Sequence, residues 1–352
     1  MKRAVLWSIP IVAAMAAAAW ACSVPVFRYA LERWPAAPYQ VTVFHQGPLA
    51  ADQQKAVDAL RAGADTVIDL RIVDVSAPKA DDPKPPAGAA LPWVVVRYPE
   101  DEAPGEAWSG PLAAEVVSRL LDSPARRRIA RRLIEGDSAV FLLLEGGDRT
   151  RDDAAEALIE AELRRLEKTL ELPAPADGQW GDPMYDEKGP PKLRLAFSVV
   201  RVSRSDAAES AFVRILSGAC KPGTPATEPV VFPIFGRGRA LCVLAGKEIA
   251  KERLEDVCEF LVGPCSCVVK EQNPGLDLLM TVDWDAALAG QKSAIPTVDP
   301  PPLAGVSDFA ADGAGAPVGR STLVRNVILA VAGGLVLLGV AAVVVLRRGK
   351  PA

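Results

Sequence analysis

Leu91-Pro92-Trp93-Val94-Val95-Val96 and Glu228-Pro229-Val230-Val231-Phe232 decide how this chain reads. Each is an apolar, β-branched run opened by a proline, which has no amide hydrogen and so begins a strand rather than sitting inside one. Upstream of Pro92, Val41-Thr-Val-Phe44 reads as a strand and Gly47-Pro48 as a turn. Asp52 to Arg61 then reads as a helix with Ala56, Val57 and Leu60 on one face, and Thr66 to Val75 as a second strand. Upstream of Pro229 the order recurs: strand Val140 to Leu144, a turn at Gly146-Gly147, helix Asp152 to Leu170, strand Leu193 to Val202. That later copy adds a helix, Asp206 to Leu216, with Asp206 as N-cap and Glu209 at the capping-box position. Both proline-led runs continue into hairpins ending at Trp108-Ser-Gly110 and Leu244-Ala-Gly246. Helices Leu112 to Leu121 and Lys247 to Val262 follow, stopped by Pro124 and Pro264.

This matched order predicts an α/β chain of the α+β sandwich type, with one unit over residues 39–137 and another over 138–285. It resembles the thioredoxin-like fold, over about Tyr39 to Pro124 and Ser138 to Pro264. The resemblance implies cis bonds before Pro92 and Pro229, facing the place of an active site. It also implies a Cys-x-x-Cys pair after the first strand, where a helix N-terminus lowers a thiol pKa. Here His45-Gln46-Gly47-Pro48 and Glu145-Gly146-Gly147-Asp148 occupy those places, without cysteine. What the resemblance then implies is a pair of scaffold or binding units with no catalytic residue and no cofactor.

The ends of the chain speak of address. Met1-Lys2-Arg3, the uncharged run Ala4 to Ala21 and the small residues of Ala19-Trp20-Ala21 form a secretory signal or N-terminal anchor over residues 1–21. Cys22 stands where a lipoprotein cysteine is acylated, although Ala19 replaces the usual leucine and Trp20 is bulky. Residues 22–38 form a membrane-proximal segment, with Phe27, Leu31 and Trp34 at helical spacing, suited either to the bilayer surface or to packing on the first unit. Val327 to Leu346 is twenty residues without a charge, about 30 Å as a helix, and Arg347, Arg348 and Lys350 follow it. A transmembrane helix is therefore expected over 325–346, with 347–352 as a cytoplasmic tail and the bulk of the chain on the extracytoplasmic side of a cell membrane. Residues 286–324, with Pro300-Pro301-Pro302 and Gly313, Gly315 and Gly319, read as a flexible tether; those glycines follow no strand and so make no phosphate loop.

A net charge of −4 excludes a nucleic-acid binder by bulk charge. The single histidine, His45, excludes histidine-rich zinc sites and two-imidazole relays. Cys242 and Cys258 read as core residues. Cys265-Ser-Cys267, just past a helix end, leaves three readings open: structural disulfides, a strained redox pair, or a thiolate metal site that includes Cys258. After it, Val268 to Gln272, Asn273-Pro-Gly275 and Leu276 to Trp284 read as an added C-terminal β-hairpin on the second unit. Two basic stretches remain. Arg126, Arg127, Arg128, Arg131 and Arg132 share a short helix, either a linker or a surface for anionic headgroups. Phe235-Gly-Arg-Gly-Arg239 is a hairpin tip whose Arg237 and Arg239 are candidate anion ligands. The expectation is a membrane-tethered binding or scaffold protein with a protein partner. Its alternatives are a thiol-disulfide protein using Cys265 and Cys267, and a receptor for a small anion or other ligand.

Overall fold

The computed structural model describes residues 24–64, 67–100, 102–173, 193–264 and 270–291. The expected signal over residues 1–21, Cys22, Cys265, Cys267 and the expected span at Val327 to Leu346 lie outside them. Among the described residues no helix is long and apolar enough to cross a membrane. The elements are α1 (Val26–Arg33), β1 (Tyr39–His45), α2 (Ala51–Ala64), β2 (Ile68–Asp74), β3 (Trp93–Arg97) and β4 (Glu106–Pro111). Then come α3 (Ala114–Leu121), α4 (Pro124–Ile134), β5 (Ala139–Leu144), α5 (Arg149–Thr169), β6 (Phe197–Val202), α6 (Ser210–Gly218) and β7 (Val230–Phe235). The last are β8 (Arg239–Ala240), β9 (Leu244–Ala245), α7 (Lys251–Val262), β10 (Leu276–Asp277) and α8 (Trp284–Leu288).

Two sheets form a mixed α/β body. The first has the order β2-β1-β3-β4, with β1 parallel to β2 and antiparallel to β3, and β3 antiparallel to β4. Alternation decides its faces. Tyr39, Val41 and Val43 point with Val94 and Val96 into a core shared with Val57 and Leu60 of α2 and Leu120 of α3. The opposite face carries only a small cluster of Phe44, Val73 and Val95, packed by Leu91 and Trp93.

The second sheet repeats the pairing: β5 is parallel to β6 and antiparallel to β7. Its central strands, Ala139 to Leu144 and Val230 to Phe235, are buried at every position. Continuous apolar strands need cover on both faces, and both faces have it. Phe141, Leu143 and Val231 meet α5, α7 and α1, while Val140, Leu142 and Phe232 meet α4 and α6. Pro233 breaks the regularity. Its carbonyl accepts from Leu241 N at 2.9 Å, so its missing N–H would have pointed at the same neighbour. The fourth strand is accordingly split into β8 and β9, each two residues long.

Four expectations need correction. The Leu91–Pro92 bond is cis, but Glu228–Pro229 is not among the cis bonds of the described residues. Glu228 instead closes a turn through its amide to Pro225 O, and this backbone lies against Gly146. Residues 22–38 were read for the bilayer surface or the first unit, yet α1 packs Phe27, Ala30 and Trp34 into the second sheet's core and bonds Val26 N to Gly263 O. Residues 286–288, expected as the start of a tether, belong to α8, which Asp283 caps through Ala286 N and which buries Trp284. Finally, the added hairpin is not formed among the described residues. Lys270 to Gln272 is a 3-10 turn, β10 is two residues long and pairs with β8 of the second sheet, and the chain then reaches α8 through short turns that bond Val282 N to Met280 O and Trp284 N to Val282 O.

The segment after β10 explains its own alternation. Leu278 and Met280 enter the second sheet's core, and Leu279 between them enters the first sheet's. Helix α6 is divided the same way at helical spacing: Phe212 and Leu216 face the second sheet, Ala211 and Ile215 the first. Tyr98 of the first unit donates its hydroxyl to Ile215 O at 2.6 Å. A Cβ at Gly218 would fall 2.5 Å from that hydroxyl oxygen, so only glycine fits there.

Because Leu279 and α6 serve two cores at once, the two sheets are expected to unfold in one transition. Variants keeping only Trp108 on the first sheet or only Trp34 on the second should report coincident denaturant midpoints. Leu279→Ala should lower stability by about 2–5 kcal/mol and shift both reports together. Separate midpoints would show the sheets to be independent.

Candidate functional site

Three places stand out in the sequence, and in each the chain itself occupies some of the groups that a ligand would use. The first is the turn after β5. Asp148 caps α5 through Thr150 N and Arg151 N. Asp152, one helical turn on, is buried and accepts from Gly146 N at 2.7 Å and Gly147 N at 3.0 Å. Amides that would hold a thiolate or an anionic ligand at a helix N-terminus are thus held by the chain's own carboxylate. The matching turn after β1 is less enclosed: His45 Nδ1 lies 2.8 Å from Gly47 O, and Gly47 N reaches Asp74 Oδ1 at 3.4 Å. Serine 76 bonds and the Gly47 amide hold the Asp74 carboxyl below its usual range, with His45 a smaller influence. Among the described residues His45 hydrogen-bonds to no carboxylate or hydroxyl that would orient it as a base.

The second is the hairpin tip. Arg239 is 5% exposed, and its five N–H groups all have acceptors. Nε donates to Pro274 O, Nη2 to Asn273 O and Gly275 O, and Nη1 to Glu102 Oε1 at 2.6 Å and Asp277 Oδ1 at 2.8 Å. Arg237 donates to Leu31 O, Glu32 O and Asp285. An anion reaching either guanidinium would have to compete with a carboxylate of the chain itself, Asp277 and Glu102 at Arg239 and Asp285 at Arg237. The apolar alternation around Arg239 hid the reason. Asp277 interrupts Leu276-x-Leu278, and it faces two buried cations: Lys270 Nζ bonds Asp277 Oδ2 and Pro35 O, and lies 3.7 Å from Glu102. Ala37 N, Tyr39 Oη and Glu102 complete the shell around Asp277. Two cations and two carboxylates cancel in a site where unpaired charge is strongly disfavoured.

The third is the arginine helix α4. Arg126 is 2% exposed, with Phe212 stacked at 5.0 Å from its guanidinium. It donates to Arg119 O and Leu120 O at the end of α3 and to Leu279 O. Burial pulls its pKa down to about 10, while Glu209 and Asp122 act to raise it. Arg127, Arg128, Arg131 and Arg132 are exposed. Beside them opens a cleft of about 520 Å³ between α4 and Met280 to Val282.

The described thiols carry no activation. Cys258 is fully buried among the apolar side chains of α5 and α7, which pushes its pKa up strongly; Cys220 and Cys242 are raised by burial as well. A thiol held protonated in this way is a poor nucleophile. Among the described residues no group of three or more metal-ligating side chains occurs. Cys265 and Cys267 lie outside the described residues. The residues that sequence reasoning passed over are Asp152, Asp277 and Lys270. Their signal is a charge where the apolar pattern leaves no solvent for it. No protein-family model matches the chain, and no curated protein matches it.

Removing one partner of the buried cluster should cost far more than a surface pair. Asp277→Ala leaves Arg239 and Lys270 with only Glu102 between them and should lose about 3–5 kcal/mol in denaturant unfolding; a loss below 1 kcal/mol would mean the cluster is wet. Alkaline pH offers a second check. Burial raises the pKa values of Cys258, Tyr39 and Tyr98, so the folded state keeps protons that the unfolded chain releases from about pH 8.5 to 10. The stabilisation is complete below that range and declines as pH climbs through it. The unfolding midpoint should therefore fall from pH 8 to 10.5, and Cys258→Ala should remove the earliest part of the fall.

Proposed function

We propose that this is a membrane-tethered extracytoplasmic binding or scaffold protein, built on two degenerate thioredoxin-like units and without catalysis of its own. The carrying observation is the capture of the Gly146 and Gly147 amides by Asp152. Where the fold resemblance would put a reactive thiol, a buried carboxylate already takes the donors that such chemistry needs. The strand order supports the fold reading: each sheet has two parallel strands, a third antiparallel strand led by a proline, and a hairpin partner. The address rests on sequence alone, through residues 1–21 and Val327 to Leu346. A tethered, internally neutral body with no activated thiol among its described residues is suited to holding a protein partner at a membrane surface.

The test separates scaffold from oxidoreductase. Full-length protein in detergent should show no reduction of insulin disulfides by dithiothreitol above background. The Cys265→Ser/Cys267→Ser variant should capture the same proteins, in the same stoichiometry, from solubilised membranes. Reductase activity lost in that double variant would transfer the assignment to thiol-disulfide chemistry. Deleting residues 325–346 should move the chain out of the membrane fraction; retention there would overturn the C-terminal anchor.

A further inference from the structure

We propose that the exposed face of α4 rests on an anionic lipid surface, held there by Arg128, Arg131 and Arg132. This deepens the reading above and rests on it: the tether brings the body to the bilayer, and α4 decides which side of the body meets the headgroups.

Helix geometry gathers the charges. At about 100° per residue, positions 127, 128, 131 and 132 share an arc of about 140°, and all four side chains are exposed. Ile129, Ala130 and Leu133 turn the other way, into the core. Asp122 takes Arg127. Arg128 reaches only the carbonyl of Arg201, at 3.4 Å. Among the described residues no carboxylate pairs with Arg128, Arg131 or Arg132. The exposed Glu135 is the remaining acid on this face, so three arginines stand against one carboxylate. Elsewhere surface arginines are paired, as Arg61, Arg119, Arg164 and Arg253 are. The helix dipole favours cations in a last turn. That accounts for Arg131 and Arg132 but not for Arg128 before them.

Both ends of the described body meet beside this face. Gln291, the last described residue, donates from Nε2 to Ile134 O at 2.7 Å and accepts from Arg28 Nη1 at 3.4 Å. Phe27 and Arg28 of α1, Leu133 to Glu135 and Gln291 line one cleft there. The expected anchor or lipidated Cys22 precedes α1 in sequence, and the expected tether follows Gln291. The two connections to the bilayer therefore start within about one helical turn of Arg131 and Arg132. Other acids at this end are taken, Asp137 by Arg194 and Glu32 by Arg28. Lys192 and Lys292, next in sequence to Leu193 and Gln291 of the cleft, add positive charge. One arginine near an anionic bilayer favours contact by about fivefold, so a surplus of two favours it by about thirtyfold. The apolar side of α4 is spent on the core, which leaves the contact electrostatic and sensitive to salt.

The test uses full-length protein in phosphatidylcholine vesicles, with or without about 30% phosphatidylglycerol. Phenylglyoxal modifies the arginines, and mass spectrometry reads the rate at each. Anionic lipid should slow modification of Arg131 and Arg132 about tenfold. Arg97, exposed on β3, should react alike in both vesicles. Salt at about 0.5 M should remove the protection. In Arg131→Gln/Arg132→Gln, both surface changes, the protection of Arg128 should be lost. Equal rates in the two vesicles overturn the proposal. So does protection that survives salt, persists at Arg128 in the double variant, or extends equally to Arg97. Protection by added poly-glutamate in neutral vesicles, with no effect of anionic lipid, overturns it in favour of an acidic protein partner. Flotation of the same samples separates the two readings. A chain that does not float with neutral vesicles counts against the tether, whereas a chain that floats with both but shows no arginine protection counts against the docking face alone.

Discussion

Everything in the described body depends on where Asp277 is held. Its side chain meets Arg239 from the second sheet and Lys270 from its own strap, and its amide meets Glu102 from the first sheet's hairpin. Its carbonyl accepts from Tyr39, the first residue of the first sheet. A single residue therefore fixes both sheets against one strap. Such a cluster adds little net stability compared with well-packed apolar side chains, because desolvating four charges offsets much of their attraction. It supplies register instead. One residue further on, Leu278, Leu279 and Met280 go alternately into two different cores, and a slip of one position would send each to the wrong side.

The fold was readable to different depths in the two sheets. Strand runs of one type of pattern gave one type of layer. Alternation in Val41-Thr-Val-Phe44 matches a sheet well covered on one face, and the unbroken Val140 to Leu144 matches a sheet covered on both. Element order followed from the two proline-led runs. Long-range partnership did not. Periodicity assigns a buried face but does not name what buries it, so α1 was sent toward the membrane or the first unit rather than the second sheet. The strap shows the same limit. Leu276 to Trp284 alternates as a half-buried strand would, and both of its faces turned out to be buried, in separate cores.

The charged residues were the least legible. Arg237 and Arg239 in a glycine-rich turn carry the same local signal whether they await an anion or clamp the backbone. Only the distant Glu102 and Asp277 distinguish the cases. Arg126 reads as one member of an arginine run, yet its place on the helix turns it inward under Phe212, where three backbone carbonyls take its protons. Its four neighbours remain on the solvated face. Composition treats the five alike; helix geometry separates them.

Against this background Asp137 is an exception. Asp152 has a donor on each oxygen, Asp277 has donors on both, and Arg239 has an acceptor for every proton. Asp137 Oδ2 is buried with no hydrogen-bond partner among the described residues, and Glu209 Oε2 shares that condition. In each carboxylate the sister oxygen is bonded, by Arg194 in Asp137 and by Ala125 N in Glu209. A guanidinium stands beside each, Arg194 in the one case and Arg126 in the other. The desolvation cost of the bare oxygen is therefore borne next to a positive charge, where it is smallest.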